Sequence, residues 1–295
     1  MDSGPQTAPR PSRAWRILAP DRQTAPVVFA SPHSGRDYPC EFVAASRLGE
    51  LDLRRSEDAF MDEVFAAAPE WGAPLLCAEF PRAYVDANRE AFELDPDMFQ
   101  GALPDYVNTA SPRITAGLGT IARVVTDGED IYHAPLCFED ALRRIETCHY
   151  PYHEALKGLI DTTRETFGGC LVVDCHSMPS SAAPRLKRGG KPVDVVLGDC
   201  FGTACAAQVT DTVQTVLQSV GLSVTRNKPY AGGFTTRHYG RPVDGVHVLQ
   251  IEINRGLYMD EKRIRRGAGM AELIRCVTLL VGRLAEIDPA ALKPA

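Results

Sequence analysis

The sequence predicts an α/β protein whose sheet is mixed or mainly parallel and covered by helices on both faces. Three observations carry that prediction. Short apolar runs alternate with longer amphipathic stretches, the element order that builds strand–helix–strand units. The runs are continuously apolar rather than alternating, as strands buried on both faces must be. Several end in small polar clusters, at 33–36, 86–89, 176–177 and 252–255. In open α/β sheets ligands bind beyond the carboxyl ends of strands, so those clusters mark the expected site.

Residues 1–13 contain Pro, Ser and Arg and no apolar segment, and residues 1–24 read as a flexible leader. Residues 25–295 read as one domain. The first strand is Val27–Ala30, ended by Ser31-Pro32-His33-Ser34-Gly35. A helix is expected over Arg54–Ala68, with Ser56 as N-cap, Glu57 and Asp58 in the first turn, and Phe60, Met61, Val64 and Phe65 as its apolar stripe. Pro74–Phe80 and Ile121–Val125 are strand candidates, separated by a loop carrying Pro96, Pro104 and Pro112. Leu136–Phe167 reads as helical, punctuated by Pro151. Cys170–Asp174 is the clearest buried strand and gives way to Cys175-His176-Ser177. Val193–Leu197, Ser223–Arg226 and Val246–Ile253 complete the strands; Gly202–Val220 and Glu261–Ile287 complete the helices.

Composition excludes several functions. With 32 Lys+Arg against 38 Asp+Glu, the 295-residue chain has a formal charge of −6, and a nucleic-acid binder would carry a basic stripe. No apolar run reaches the roughly 18–20 residues that span a bilayer, and no secretory segment opens the chain, so a cytoplasmic protein with no membrane partner is expected. The nine cysteines form no CxxC pair, which disfavours a zinc ribbon or a disulfide framework. They read as small buried hydrophobes. Oligomeric state leaves no trace in the sequence.

His33 and His176 each stand at the end of a buried strand candidate, so both can project into one crevice. Two imidazoles and one carboxylate leave a coordination position open, the arrangement of catalytic zinc. Glu57, Asp58 and Asp62 are the carboxylates in range; Asp58 is the first choice. No HExxH helix exists. Glu252 sits between Ile251 and Ile253, where burial would raise its pKa toward the working range of a general base; the competing reading is a salt bridge to Arg255. Asn88-Arg89 ends the Tyr84–Asp86 run, and a strand-end arginine can grip a carboxylate through two parallel N–H bonds. The Gly-rich stretch 230–238, with Tyr230 and Arg237, suits anion binding but lacks the P-loop pattern. His153 and His238 read as structural.

Taken jointly, the order and spacing of these motifs resemble the N-formylglutamate amidohydrolase family from about residue 27 to 285. The carrying motifs are Ser31-Pro32-His33-Ser34-Gly35, the Glu57-Asp58…Asp62 segment, Val85-Asp86-Ala87-Asn88-Arg89, Gly117–Ile121, Asp174–Pro179, Asn227–Gly233 and Gln250–Arg255. The resemblance implies a zinc-carboxypeptidase-like three-layer α/β/α sandwich with a mixed, mostly parallel sheet. It implies a Zn²⁺ or other divalent-metal site and cleavage of the small dianion N-formyl-L-glutamate to formate and L-glutamate in histidine breakdown. His33 and His176 match the metal-binding histidines, Asn88 and Arg89 the pair that holds a substrate carboxylate, and Glu252 the general base. The carboxypeptidase pattern has glutamate three residues after its first histidine; here that residue is Arg36, so Asp58 or Glu57 must supply the third ligand. Arg237 is the candidate for the side-chain carboxylate. A related amidohydrolase acting on another N-acyl amino acid, and a non-catalytic amino-acid-binding module, are the alternatives.

Overall fold

A computed structural model describes residues 13–125, 128–185 and 190–294. Among them, seven strands form one sheet: β1 (Trp15–Leu18), β2 (Val27–Ser31), β3 (Leu75–Ala78), β4 (Cys170–Met178), β5 (Val195–Gly198), β6 (Val224–Arg226) and β7 (Val246–Asn254), in the order β1-β3-β2-β4-β7-β5-β6. β3, β2, β4 and β7 run parallel as neighbours. β1 is antiparallel to β3, and β5 is antiparallel to β7 while parallel to β6. The sheet is therefore mixed, with a parallel centre.

Every residue of β2, β3, β4 and β7 is buried, which is why these strands read as unbroken apolar runs. Strand side chains alternate between the two faces, and the core divides accordingly. Val27, Phe29, Leu171, Val173, Leu249 and Ile251 pack on one face with the helices Ala207–Ser219 and Met270–Ala285, whose buried residues recur at helical spacing (Val209, Val213, Leu217; Leu273, Val277, Leu280, Leu284). Val28, Ala30, Val172 and Val248 pack on the other, against Tyr152, Leu156 and Ile160 of the helix Tyr150–Phe167. The result is a three-layer α/β/α sandwich. Each fully buried aliphatic side chain contributes roughly 1.5–3 kcal/mol.

The same alternation places the site. On the second face β4 reads Cys170, Val172, then Asp174 and His176; β7 reads Val246, Val248, then Gln250 and Glu252. The apolar face turns polar at the carboxyl ends of both strands, and the register sets His176 beside Glu252 and Asp174 beside Gln250.

Several sequence expectations change. Of the expected leader, residues 1–12 lie outside the described residues, but Trp15–Leu18 forms β1, paired along its length with β3. A four-residue, half-buried edge strand has no apolar run to announce it. The expected helix over Arg54–Ala68 is broken into a 3₁₀ turn Arg54–Ser56, a single turn Met61–Val64 and a second 3₁₀ turn Ala68–Trp71. The break holds Asp58, whose N–H donates to the His33 carbonyl (3.0 Å), and Phe60, in the left-handed region at φ 68°. Ile121–Val125 is not a strand; only an isolated bridge from Val124 to Asp130 forms there. β4 runs on to Met178, so His176 lies within the strand rather than after it. The helix expected over Leu136–Phe167 is interrupted by a π turn at Ile145–His149. The one expected over Gly202–Val220 spans Ala207–Ser219. The closing helix begins only at Met270, after a small hairpin of Met259–Asp260 with Arg265–Arg266. All nine cysteines are free thiols.

Candidate metal centre and cavity

Three side chains from three elements converge. His33 comes from the turn after β2, Asp58 from the break in the 54–71 segment, and His176 from β4. His176 Nδ1 lies 3.1 Å from His33 Nδ1 and 2.9 Å from Asp58 Oδ2, and His33 Nδ1 lies 3.3 Å from that same oxygen. All three residues are buried. Of the other two carboxylates in range, Glu57 is taken by Tyr38 and Arg54, and Asp62 by Arg16 and Arg36.

The opposite edge of each imidazole faces a second carboxylate. His33 Nε2 is 2.7 Å from Asp86 Oδ1, and His176 Nε2 is 2.9 Å from Asp174 Oδ1. A carboxylate at Nε2 keeps the proton there and leaves the Nδ1 lone pair facing inward. Two such lone pairs and a carboxylate oxygen within 3.3 Å of one another repel unless a proton or a cation lies among them. The donor set therefore fits a divalent cation, and His33, Asp58 and His176 are the described residues that can hold one. Asp58 is further fixed through Oδ1 by Arg255 Nη2 (3.0 Å) and the Ser177 hydroxyl (3.3 Å).

Electrostatics follow from this packing. Burial would raise the Asp58 carboxyl, but its bonds to His176 and His33 outweigh that and hold it well below the usual carboxylate range. Burial would likewise lower His176, yet Asp174, Asp58 and Glu252 push it well above the ordinary histidine value. Glu252 has no ion-pair partner among the described residues; Arg255 is spent on Asp58 instead. Its carboxylate accepts a hydrogen bond from Gln250 Nε2 (2.9 Å). Burial, helped by Asp58 and Asp174 and opposed by His176 and Arg82, raises the Glu252 carboxyl to about 7.

His33, His176, Glu252, Gln250, Arg82 and Arg255 line one cavity of about 590 Å³, a size that suits a small ligand. Asn88 and Arg89 both reach it. Asn88 Nδ2 lies 3.1 Å from His176 Nε2, and its Oδ1 accepts the Thr235 N–H (2.8 Å). The Asn88 amide fills the space beside Gly233, where a Cβ would overlap it at 2.2 Å. Arg89 donates Nε to the Leu118 carbonyl (2.9 Å) and Nη1 to the Asn88 carbonyl (2.8 Å). Tyr230 lines the wall. Arg237 does not; it is exposed on the short helix Phe234–Tyr239 and donates Nη1 to the Gly232 carbonyl (2.9 Å).

Sequence reasoning missed Asp86 and Asp174 as partners of the rings, and Arg82, Arg113 and Gln250 as cavity residues. Asp174 had a readable signal, since it lies two residues before His176 on a strand and so on the same face. Arg113 had none, because nothing local says that its turn lies against the cavity.

A buried His–His–Asp group able to hold a divalent ion, beside a carboxyl raised toward neutrality at the strand ends of an α/β/α sandwich, defines the class of a hydrolase that can use a metal. The chain belongs to the N-formylglutamate amidohydrolase family, whose sequence model matches residues 25–259. It is 29% identical over 252 residues to an N-formylglutamate deformylase of Pseudomonas putida, covering 83% of this chain and 86% of that one. It is 29% identical over 266 residues to that of Pseudomonas aeruginosa, covering 88% and 92%. The crystal structure of an N-formylglutamate amidohydrolase from Ralstonia eutropha superposes with a TM-score of 0.86 at 35% identity, covering 92% of this chain and 97% of that one. The gene product Atu2144 of Agrobacterium tumefaciens, at 17% identity and a TM-score of 0.62 over 92% and 95% of the two chains, shares the fold.

Proposed function

We propose that the chain is a zinc-dependent amidohydrolase that cleaves the C–N bond of N-formyl-L-glutamate, releasing formate and L-glutamate, in the histidine breakdown of the cytoplasm. The observation that carries the reading is the buried His33–Asp58–His176 group, whose two histidines share one cavity with Glu252. Relatives named for this deformylation support the substrate. The carboxypeptidase-like arrangement and the absence of a nucleic-acid or membrane partner belong to the same proposal; no described helix is long and apolar enough to cross a membrane.

His33, Asp58 and His176 would hold the ion. When bound, a divalent cation supplies Lewis acidity, polarising a carbonyl and acidifying water. The protein's own residues do the rest. Glu252 takes a proton from the attacking water as its oxygen adds to the formyl carbon, and returns it to the nitrogen as the C–N bond breaks. A carboxyl held at about 7 exchanges protons in both directions near neutral pH. Asn88 and Arg89 bind the α-carboxylate, and the Tyr230 hydroxyl faces substrate across the cavity. Asp86 and Asp174 keep the ring protons on Nε2.

The test is formate release from N-formyl-, N-acetyl- and N-carbamoyl-L-glutamate by the purified protein, with elemental analysis of the same sample. The expected result is formate from the first substrate, far slower cleavage of the other two, and zinc bound at one per chain. Failure to release formate, or an active protein free of bound metal, would overturn it.

A further inference from the structure

The cavity carries four arginines, Arg82, Arg89, Arg113 and Arg255, against two carboxylates, Asp86 and Glu252. Three of the arginines, Arg82, Arg89 and Arg255, each hold at least one hydrogen bond within the wall, Arg89 keeping Nη2 in reserve for substrate. Arg82 Nε donates to Asp86 Oδ2 (3.0 Å). Arg255 donates to Asp58, to Ser177 (3.1 Å) and to the Arg55 carbonyl (3.0 Å). Arg89 is tied to two backbone carbonyls and stands 3.5 Å from Asp86.

Arg113 differs. Its one ion pair among the described residues is with Glu93 at 3.9 Å, too long for a hydrogen bond. That Glu93 carboxylate already accepts the Ser111 hydroxyl. Yet the Arg113 backbone is fixed: its N–H donates to Ser111 Oγ (3.2 Å) at the start of the turn Pro112–Thr115. The loop that carries it also supplies the Leu118 carbonyl that holds Arg89. Burial and then the positive charge of Arg113 weigh on Arg237, and Arg113 also weighs on Arg89. A guanidinium carried on a fixed backbone at a cavity wall, with no hydrogen-bond partner among the described residues and like charge nearby, is a group an anion would satisfy.

Resting on the deformylase reading, we propose that Arg113 binds the second carboxylate of the substrate and so selects dicarboxylic over neutral amino-acid side chains. Arg89 and Asn88 then serve the α-carboxylate, and Arg237, outside the cavity, contributes only field.

The test compares N-formyl-L-glutamate with N-formyl-L-glutamine, a near-isostere whose side chain alone is neutral, in the zinc-loaded wild type, R113Q, R113K and R237Q. The selectivity ratio of kcat/KM is expected to fall on the order of 10- to 100-fold in R113Q, the range for losing one charge-assisted bond. R113K is expected to keep an intermediate ratio and R237Q most of it. Calorimetry with the products, L-glutamate against L-glutamine, reads the same ratio without turnover. A ratio in R113Q within about twofold of wild type, well inside the effect of a single such bond, would overturn the proposal. So would collapse in R237Q with R113Q intact, or equal binding of both products by wild type. If wild type releases formate from neither substrate, the deformylase reading fails, and the product-binding ratio alone decides the role of Arg113.

Discussion

Two pairs of histidines, three of the four rings buried and His153 half-buried, flank the same loop, and they are put to opposite uses. His33 and His176 approach each other through Nδ1, each with a carboxylate at Nε2. His149 and His153, one helical turn apart with ring centroids 4.4 Å from each other, face backbone instead. His149 Nε2 meets the Arg89 carbonyl (2.9 Å), and His153 Nε2 meets the Ala87 carbonyl (2.8 Å). His153 Nδ1 meets the Tyr239 hydroxyl (3.0 Å). Burial acts on both pairs in the same direction, against the charged ring. For His176 the carboxylates of Asp174, Asp58 and Glu252 overturn it. For His153 no carboxylate intervenes, and burial with the nearby His149 lowers the ring to about 3. Depth does not assign a histidine its role; the charge of what it faces does. The first pair can take up a cation, and the second stays neutral and clamps the carbonyls on either side of Asn88.

The largest test of this contrast is His176→Ala. Removing an inward-facing Nδ1 leaves two ligands, so bound metal is expected to fall to trace levels by elemental analysis and formate release with it. His149→Ala, by contrast, is expected to keep a full metal complement. A metal-replete His176→Ala protein would erase the distinction between the pairs.

How much of this was legible in the sequence depends on whether a residue's position was set locally. β2, β4 and β7 were readable because a strand buried on both faces needs an unbroken apolar run. His33, His176 and Glu252 were readable as polar residues interrupting such runs. Asp58 was readable only as one of three neighbouring acids. What singles it out is a break in the helix, at left-handed Phe60 and the Asp58 N–H bonded to the His33 carbonyl, and both depend on β2 lying alongside. β1 escaped because pairing with β3, not its own four residues, makes it a strand. His153 read only as structural and His149 drew no reading, since nothing local reveals the carbonyls of a loop some sixty residues away. Arg237 was singled out by its Gly-rich stretch and Arg113 was passed over; it is the cavity, lined by Arg113 and not by Arg237, that brings Arg113 into view.

Next in size is Glu252→Gln, which keeps the shape and the Gln250 contact but cannot take a proton. It is expected to lower kcat roughly 10²- to 10⁴-fold, the span of general acid–base catalysis, with metal content unchanged. Its pH signature has a definite sign. Glu252 works as the carboxylate, so kcat/KM in the wild type should fall as pH drops through its pKa. Without a cation that midpoint is about 7; an adjacent divalent ion favours the charged form, so the loaded enzyme should show its acidic limb at or below that value. The limb should be missing from the residual activity of Glu252→Gln. An unshifted limb in the variant would assign it to another group.

The smallest expected effects come from the second pair, and they separate clamping from metal binding. His153→Gln keeps an N–H donor within reach of the Ala87 carbonyl, whereas His153→Phe leaves that carbonyl unpaired. Losing a neutral hydrogen bond costs about 1 kcal/mol, so His153→Phe is expected to raise KM about fivefold through a loosened Asn88–Arg89 loop, with kcat little changed. His153→Gln should recover most of the wild-type KM. Acid stability gives an independent reading. The folded ring titrates near 3 against an ordinary value of 6.5, so the unfolded chain binds this proton first, and the native state loses stability as pH falls from 6.5 toward 3. Glutamine does not titrate, so His153→Gln should flatten that part of the stability-against-pH curve, measured by urea unfolding. The slope stays unchanged only if His153 takes up its proton equally in the folded and unfolded states. A steep acid slope retained in His153→Gln, or metal lost from His153→Phe, would mean that the two pairs are not the separate devices their partners make them.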